Sequence, residues 1–188
     1  MFLSKKVNLA GFILKCAGWS VDVTVPDYPK SIICVAPHTT NWDFVLGKLA
    51  YASIRRHAGF LMKESWFFWP LGYFFKALGG IPVPRGDKRG GRSLVETITD
   101  MMKTSARMVI AITPEGTRSR TTEWHTGFLR IAMDANVPIL LGAFDFKDKI
   151  IRVTDEFVPT GDIEADMRAV KDFYKPFHGK YPDKFTTD

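Results

Sequence analysis

An α/β fold, a single-domain sandwich with a largely parallel mixed sheet flanked by helices, is what this 188-residue sequence predicts. Three observations predict it. Short β-branched runs alternate with segments of helical periodicity along most of the chain. The run Ser31-Ile32-Ile33-Cys34-Val35-Ala36 is apolar almost throughout, as in a strand covered on both faces. Helix-start signals follow the strand candidates at short intervals, and no internal repeat or low-complexity segment interrupts the alternation.

The elements follow in order. Residues 2–20 read as a helix in which Ser4, Asn8, Gly11, Lys15 and Gly18 line a narrow polar stripe and apolar residues fill the rest. Asn8 and Lys15 interrupt it too early for a confident transmembrane span. Two readings stay open: a helix in the membrane interface with Lys5 and Lys6 at the headgroups, or one packed on the domain's own core. A cleaved signal peptide fits poorly, because Lys15 breaks its apolar stretch. The chain therefore divides into an N-terminal amphipathic helix, residues 1–20, and one domain, residues 21–188.

Pro37 ends the strand at 31–36, and from Asn41 onward Trp42, Val45, Leu46, Leu49 and Ile54 recur at roughly helical spacing. Residues 58–62 are a strand candidate, 67–78 a helix or pair of helical turns interrupted near Pro70, and 81–83 a strand. A flexible basic loop follows over 85–92. Ser93-Leu94-Val95-Glu96 is a capping box that opens a helix reaching about Ala106. Beyond it come a strand at 108–112, a helix at 126–136, strands at 138–144 and 149–153, and a terminal helix from 162 to about 178.

Twenty-six basic residues against 20 acidic give a net charge of +6 and a pI near 9.3, which points to anionic partners. Among these, nucleic acid is disfavoured: the aromatics do not follow an RNP pattern, and neither zinc-finger spacing nor a long basic helix is present. With Cys16 and Cys34 the only cysteines, there is no disulfide framework or zinc site, and a reducing compartment is expected. Cys34 lies in the apolar strand and reads as buried structure, not as a nucleophile. His38, His57, His125 and His178 lack metal-ligand spacing, which argues against a metallohydrolase, and no metal or cofactor is expected.

The chemistry-bearing residues start with His38 and Asp43, in Pro37-His38-Thr39-Thr40-Asn41-Trp42-Asp43. They put an imidazole and a carboxylate at a strand-to-helix junction, where open α/β sheets place their ligands. A histidine can take a proton near neutral pH, and a carboxylate can fix its tautomer and stabilise the imidazolium that forms. Asp43 also completes a capping box with Thr40, a structural role that can coexist with the chemical one. The second motif is Thr113-Pro114-Glu115-Gly116-Thr117-Arg118-Ser119-Arg120, after the strand at 108–112. A glycine that permits close backbone approach, hydroxyls and two arginines make an anion cradle, although a surface turn uses the same residue types.

These two motifs, with Gly80-Ile81-Pro82-Val83-Pro84-Arg85 between them and Val137-Pro138-Ile139 after, resemble in order and spacing the four blocks of the glycerolipid acyltransferases, the His-x4-Asp family that includes 1-acylglycerol-3-phosphate acyltransferase. The resemblance runs from about Ser31 to Phe144. It implies a glycerol-3-phosphate acyltransferase-like fold and transfer of a fatty acyl group from a thioester, on coenzyme A or acyl carrier protein, to the hydroxyl of a lysophospholipid-type acceptor. By that resemblance His38 is the general base and Asp43 its orienting partner. Glu115, Gly116, Thr117, Arg118 and Ser119 match the acceptor-binding block, Arg85 the arginine of the second block, and Lys63 a lysine that helps hold the acceptor phosphate. The sequence departs from the pattern at three places: Pro37 stands where asparagine is usual, Leu140 and Leu141 supply no further proline, and Trp124-His125-Thr126-Gly127 stands where many members carry a lysine before the glycine. His125 reads as a surface or packing residue. Consistent with direct attack, the chain has no Gly-x-Ser-x-Gly nucleophile elbow.

Trp66, Phe67, Phe68, Trp69, Tyr73, Phe74 and Phe75 put seven aromatics in ten residues. Core packing is one reading; lipid contact or an acyl channel beside cationic loops is the other. Together these features predict a peripheral enzyme on the cytoplasmic face of an anionic membrane. The alternatives are an acyltransferase for a non-phosphate lipid acceptor, such as an acylated amino acid or polyol, and a non-catalytic phospholipid-binding protein.

Overall fold

Strand β2 (Lys30–Ala36) occupies the middle of a seven-stranded sheet. It pairs in parallel with β5 (Met108–Ile112) on one side and β6 (Ile139–Asp145) on the other, and all seven residues of β6 are buried. Both strands read as near-continuous apolar runs because helices cover both faces. The computed structural model describes residues 8–83 and 93–188; the basic loop at 85–92, with Arg85, and the first seven residues lie outside the described residues.

The remaining strands are β1 (Ser20–Val23), β3 (Gly59–Lys63), β4 (Gly80–Val83) and β7 (Ile150–Phe157), and the order across the sheet is β1-β7-β6-β2-β5-β3-β4. Every neighbouring pair is parallel except β6 and β7, so the largely parallel mixed sheet expected from the sequence is the one found. The consequence for the site is that β2, β3, β5 and β6 all end at the same edge.

The two-residue period of β2 sorts its side chains between layers. Ile32, Cys34 and Ala36 face a core built with α4 (Leu94–Thr104), α5 (Gly127–Ala135) and α6 (Ile163–Tyr174), through Ile98, Met102, Phe128, Leu129, Val170 and Tyr174. Ile33 faces the opposite side, where Tyr51 of α2 (Trp42–Ser53) joins Val25, Leu140 and Val153. Leu14 of α1 (Leu9–Cys16) packs beside Leu46, Ala50, Phe144 and Ile151 on that same side. Both expectations for Cys34 follow from this placement: it is fully buried, and burial pushes its thiol up to about 12.

Several boundaries differ from the sequence reading. Among the described residues the first helix ends at Cys16, because the backbone turns at Gly18 (φ +77°) to enter β1, an edge strand the sequence reading omits. The helix is half committed to the core: Leu14 is buried, whereas Leu9, Phe12 and Ile13 are exposed. The segment around Pro70 resolves into a single 3-10 turn, Glu64–Trp66, and a helix α3 (Leu71–Ala77). The terminal helix stops at Tyr174, two residues before Pro176, which has no N–H to continue the ladder. The Ser93–Glu96 capping box is made in both directions, at 3.1 and 2.6 Å.

Candidate active site

Pro37 and His38 leave the carboxyl end of β2, and Asp43 lies in the first turn of α2, so five residues bend the chain back on itself. Asp43 is the centre of that bend. Its Oδ2 accepts the backbone N–H of Thr39 at 2.9 Å and of Thr40 at 3.0 Å, and lies 3.1 Å from Nδ1 of His38. One oxygen thus holds both the loop backbone and the imidazole. The expected capping box is not formed: Asn41, not Thr40, is the N-cap of α2, and the Thr40 hydroxyl accepts from Trp42 instead of Asp43.

A buried carboxylate that accepts from Nδ1 fixes the proton there and leaves Nε2 as the basic nitrogen. Asp43 is 1% exposed and the His38 side chain 19%, so the orienting group is sealed and the imidazole reaches solvent. Among the described residues Nε2 makes no hydrogen bond.

The second motif meets the first from the end of β5. Glu115 is buried, and its two carboxylate oxygens accept the backbone N–H of His38 at 2.9 and 3.2 Å. Burial, reinforced by the nearby Asp43 charge and opposed by the His38 N–H, pushes its carboxyl up to about 8. Glu115 therefore resists ionising, and it holds the backbone of the His38 loop. Gly116 has φ +64°, and a Cβ there would lie 2.5 Å from the His125 ring, so both backbone and space require glycine. His125 is exposed, and its backbone N–H donates to the Pro114 carbonyl at 2.7 Å.

Arg118 donates from Nη1 to the Asn41 side chain, which anchors the guanidinium at the start of α2. Thr117 accepts the Ser119 N–H at 3.2 Å, and Thr117, Arg118 and Ser119 are all exposed. The structure brings His38, Asp43, Glu115 and Arg118 together. Lys63 is exposed at the end of β3, at the same sheet edge but two strands from β2, and Arg85 lies outside the described residues.

Two contributors escape a sequence reading. Asn41 sits inside the first motif, yet its bond to Arg118 spans 77 residues. The segment after α6 crosses the loop: Tyr181 donates its N–H to the Thr39 hydroxyl at 3.3 Å, and Gly179 packs on Pro37 and Thr39. No local pattern announces either contact. Beside the site, an apolar groove of about 290 Å³ runs between α1 and α2, lined by Ile13, Trp42, Val45, Leu49 and Phe146, with Lys180 at its rim.

Comparison with known proteins bears on the fold and the family. A crystal structure of the 1-acyl-sn-glycerophosphate (LPA) acyltransferase PlsC from Thermotoga maritima is similar in fold, with a TM-score of 0.56, 17% identity, and coverage of 89% of this chain and 74% of that one. No curated protein sequence matches. The profile of the Acyltransferase family matches residues 21–140, a span that holds both motifs, and the chain belongs to that family.

Proposed function

We propose that this acyltransferase moves a fatty acyl group from acyl-CoA or acyl carrier protein to the hydroxyl of a lysophospholipid-type acceptor, with 1-acylglycerol-3-phosphate as the leading candidate. The observation that carries the reading is the His38–Asp43 pair: Nδ1 held 3.1 Å from a buried carboxylate oxygen, with Nε2 on the open side. In the proposed step Nε2 takes the proton of the acceptor hydroxyl while that oxygen attacks the thioester carbonyl. The tetrahedral intermediate collapses with cleavage of the C–S bond, and the leaving thiolate recovers the proton from Nε2. No acyl-enzyme is needed, and the buried Cys34 is poorly suited to form one.

Arg118, already oriented by Asn41, is the proposed phosphate ligand, with Lys63, Arg85, Gly116, Thr117 and Ser119 contributing to the acceptor site. A neutral Glu115 can stand beside a phosphate without repelling it. The α1–α2 groove suits an acyl chain. Trp69 and Tyr73 are 81% and 73% exposed in a segment flanked along the chain by Lys63 and Lys76, which supports peripheral docking on the cytoplasmic face of an anionic membrane. No described helix is long and apolar enough to cross a membrane.

Mass spectrometry of lipids after incubation with mixed acyl thioesters and a panel of lyso-lipids names donor and acceptor together. Acylation of phosphate-free acceptors alone would replace the phosphate reading, and vesicle binding without thioester consumption would replace catalysis. His38→Ala should lower kcat by about 10²- to 10⁴-fold with an unchanged circular dichroism spectrum. Retained turnover by the folded variant would remove His38 from the mechanism.

A further inference from the structure

We infer that the segment following α6, through Gly179 and Tyr181, is a positioning device for the catalytic base, acting on His38 by way of Thr39. The inference rests on the reading of His38 as that base. Thr39 is 2% exposed and is held from two sides. Its N–H donates to Asp43 Oδ2 at 2.9 Å, the same oxygen that orients His38, and its hydroxyl accepts the Tyr181 N–H at 3.3 Å. A displacement of Thr39 therefore reaches the imidazole through one shared atom.

Gly179 fixes how closely the segment approaches. A Cβ at this position would lie 2.8 Å from Thr39 Cγ2, 2.9 Å from Thr39 Oγ1 and 3.2 Å from Pro37 Cβ, so any larger residue must push the loop or lift the segment. The segment is tied down on either side of this contact. His178 accepts the Phe146 N–H at 2.8 Å, just beyond β6, and the Lys180 ammonium lies 5.7 Å from the centre of the Trp42 ring on α2. These ties bridge the carboxyl end of β6 to the start of α2, across the end of β2. On the segment's own side these contacts come from His178, Gly179, Lys180 and Tyr181, which lie beyond the span matched by the family profile, residues 21–140.

Steady-state kinetics on Gly179→Ala, Thr39→Val and the Gly179→Ala/Thr39→Ser double variant tests the inference. Gly179→Ala should lower kcat by about 10- to 100-fold while KM for donor and acceptor stays within about twofold, because displacement of a reacting group of order 1 Å falls on the chemical step. Thr39→Ser in the Gly179→Ala background deletes the Cγ2 methyl nearest the new Cβ and keeps the acceptor for Tyr181, and should recover part of the loss, the 2.9 Å approach to Oγ1 remaining. Thr39→Val nearly keeps the volume but replaces the acceptor of the Tyr181 N–H with a methyl, and should lower kcat several-fold at unchanged KM; it carries the test if Gly179→Ala does not fold. Wild-type kcat in both single variants overturns the inference, as does a folded Gly179→Ala whose loss is not recovered by Thr39→Ser. His38→Ala separates the two readings: if it retains turnover, the base assignment fails first, whereas an inactive His38→Ala beside fully active Gly179 and Thr39 variants refutes the positioning role alone.

Discussion

Replacing Glu115 with glutamine removes a charge that the fold resists forming. The folded-state carboxyl holds its proton up to about pH 8, against an ordinary value of 4.5. Between those two values the native chain binds more protons than the unfolded chain, so stability falls as pH rises. At 1.36 kcal/mol per unit, the cost of ionising Glu115 approaches about 5 kcal/mol above pH 8 and disappears below about pH 4.5. Glutamine keeps a carbonyl oxygen for the His38 N–H, now 2.9 and 3.2 Å from the two carboxylate oxygens, and does not titrate. Urea unfolding of Glu115→Gln and the parent at intervals from pH 5 to pH 8.5 should therefore give a stability difference that grows with pH in favour of the variant. At pH 7 the variant should keep kcat within a few-fold, while Glu115→Ala, which leaves the His38 N–H without its acceptor, should lose about 1–3 kcal/mol of stability. A stability difference constant over this range, or a folded Glu115→Gln with collapsed turnover at pH 7, would refute the assignment of a buried neutral carboxyl.

The remaining predictions concern the arginine and the cysteines. Arg118→Ala should raise KM for a phosphate-bearing acceptor by about 10- to 100-fold at near-constant kcat, the loss of one charge-assisted contact; an unchanged KM in acyl-transfer kinetics would sink the cradle. Native protein treated with iodoacetamide at pH 8 should take one label, on exposed Cys16, with Cys34 reacting only after unfolding, since its thiol is buried and pushed up to about 12. Peptide mapping of a native sample labelled at Cys34 would contradict that burial.

What could be read from the sequence was whatever lay in contiguous residues. His38 and Asp43 are five apart, with a proline-terminated apolar run before them and helical periodicity after, and those facts suffice to set a carboxylate against Nδ1. The competing capping box fails on a different atom: the Thr40 hydroxyl accepts from Trp42, and Asn41 is the N-cap of α2. Cys34 was legible as core for a similar reason, since its neighbours on both sides are apolar. Strand β1 was not, because Ser20-Val21-Asp22-Val23 is a four-residue edge strand of mixed polarity whose only partner, β7, arrives 130 residues later. Glu115 was readable as a carboxylate beside a cradle, but its burial against the His38 backbone depends on β5 lying next to β2. Gly179 offers no local signal at all, since its requirement for a hydrogen side chain is set by Thr39.

The Glu115 and Tyr181 bonds also bear on the order of folding. The loop that carries His38 is clamped by partners 77 and 142 residues away along the chain, from Glu115 and from Tyr181. Closures of that length carry the larger entropic cost and form behind local helix and turn structure. A refolding chain that has regained its helices and its central strands still lacks one side of the clamp until the residues after α6 dock. Docking of that segment is therefore expected to trail the return of secondary structure.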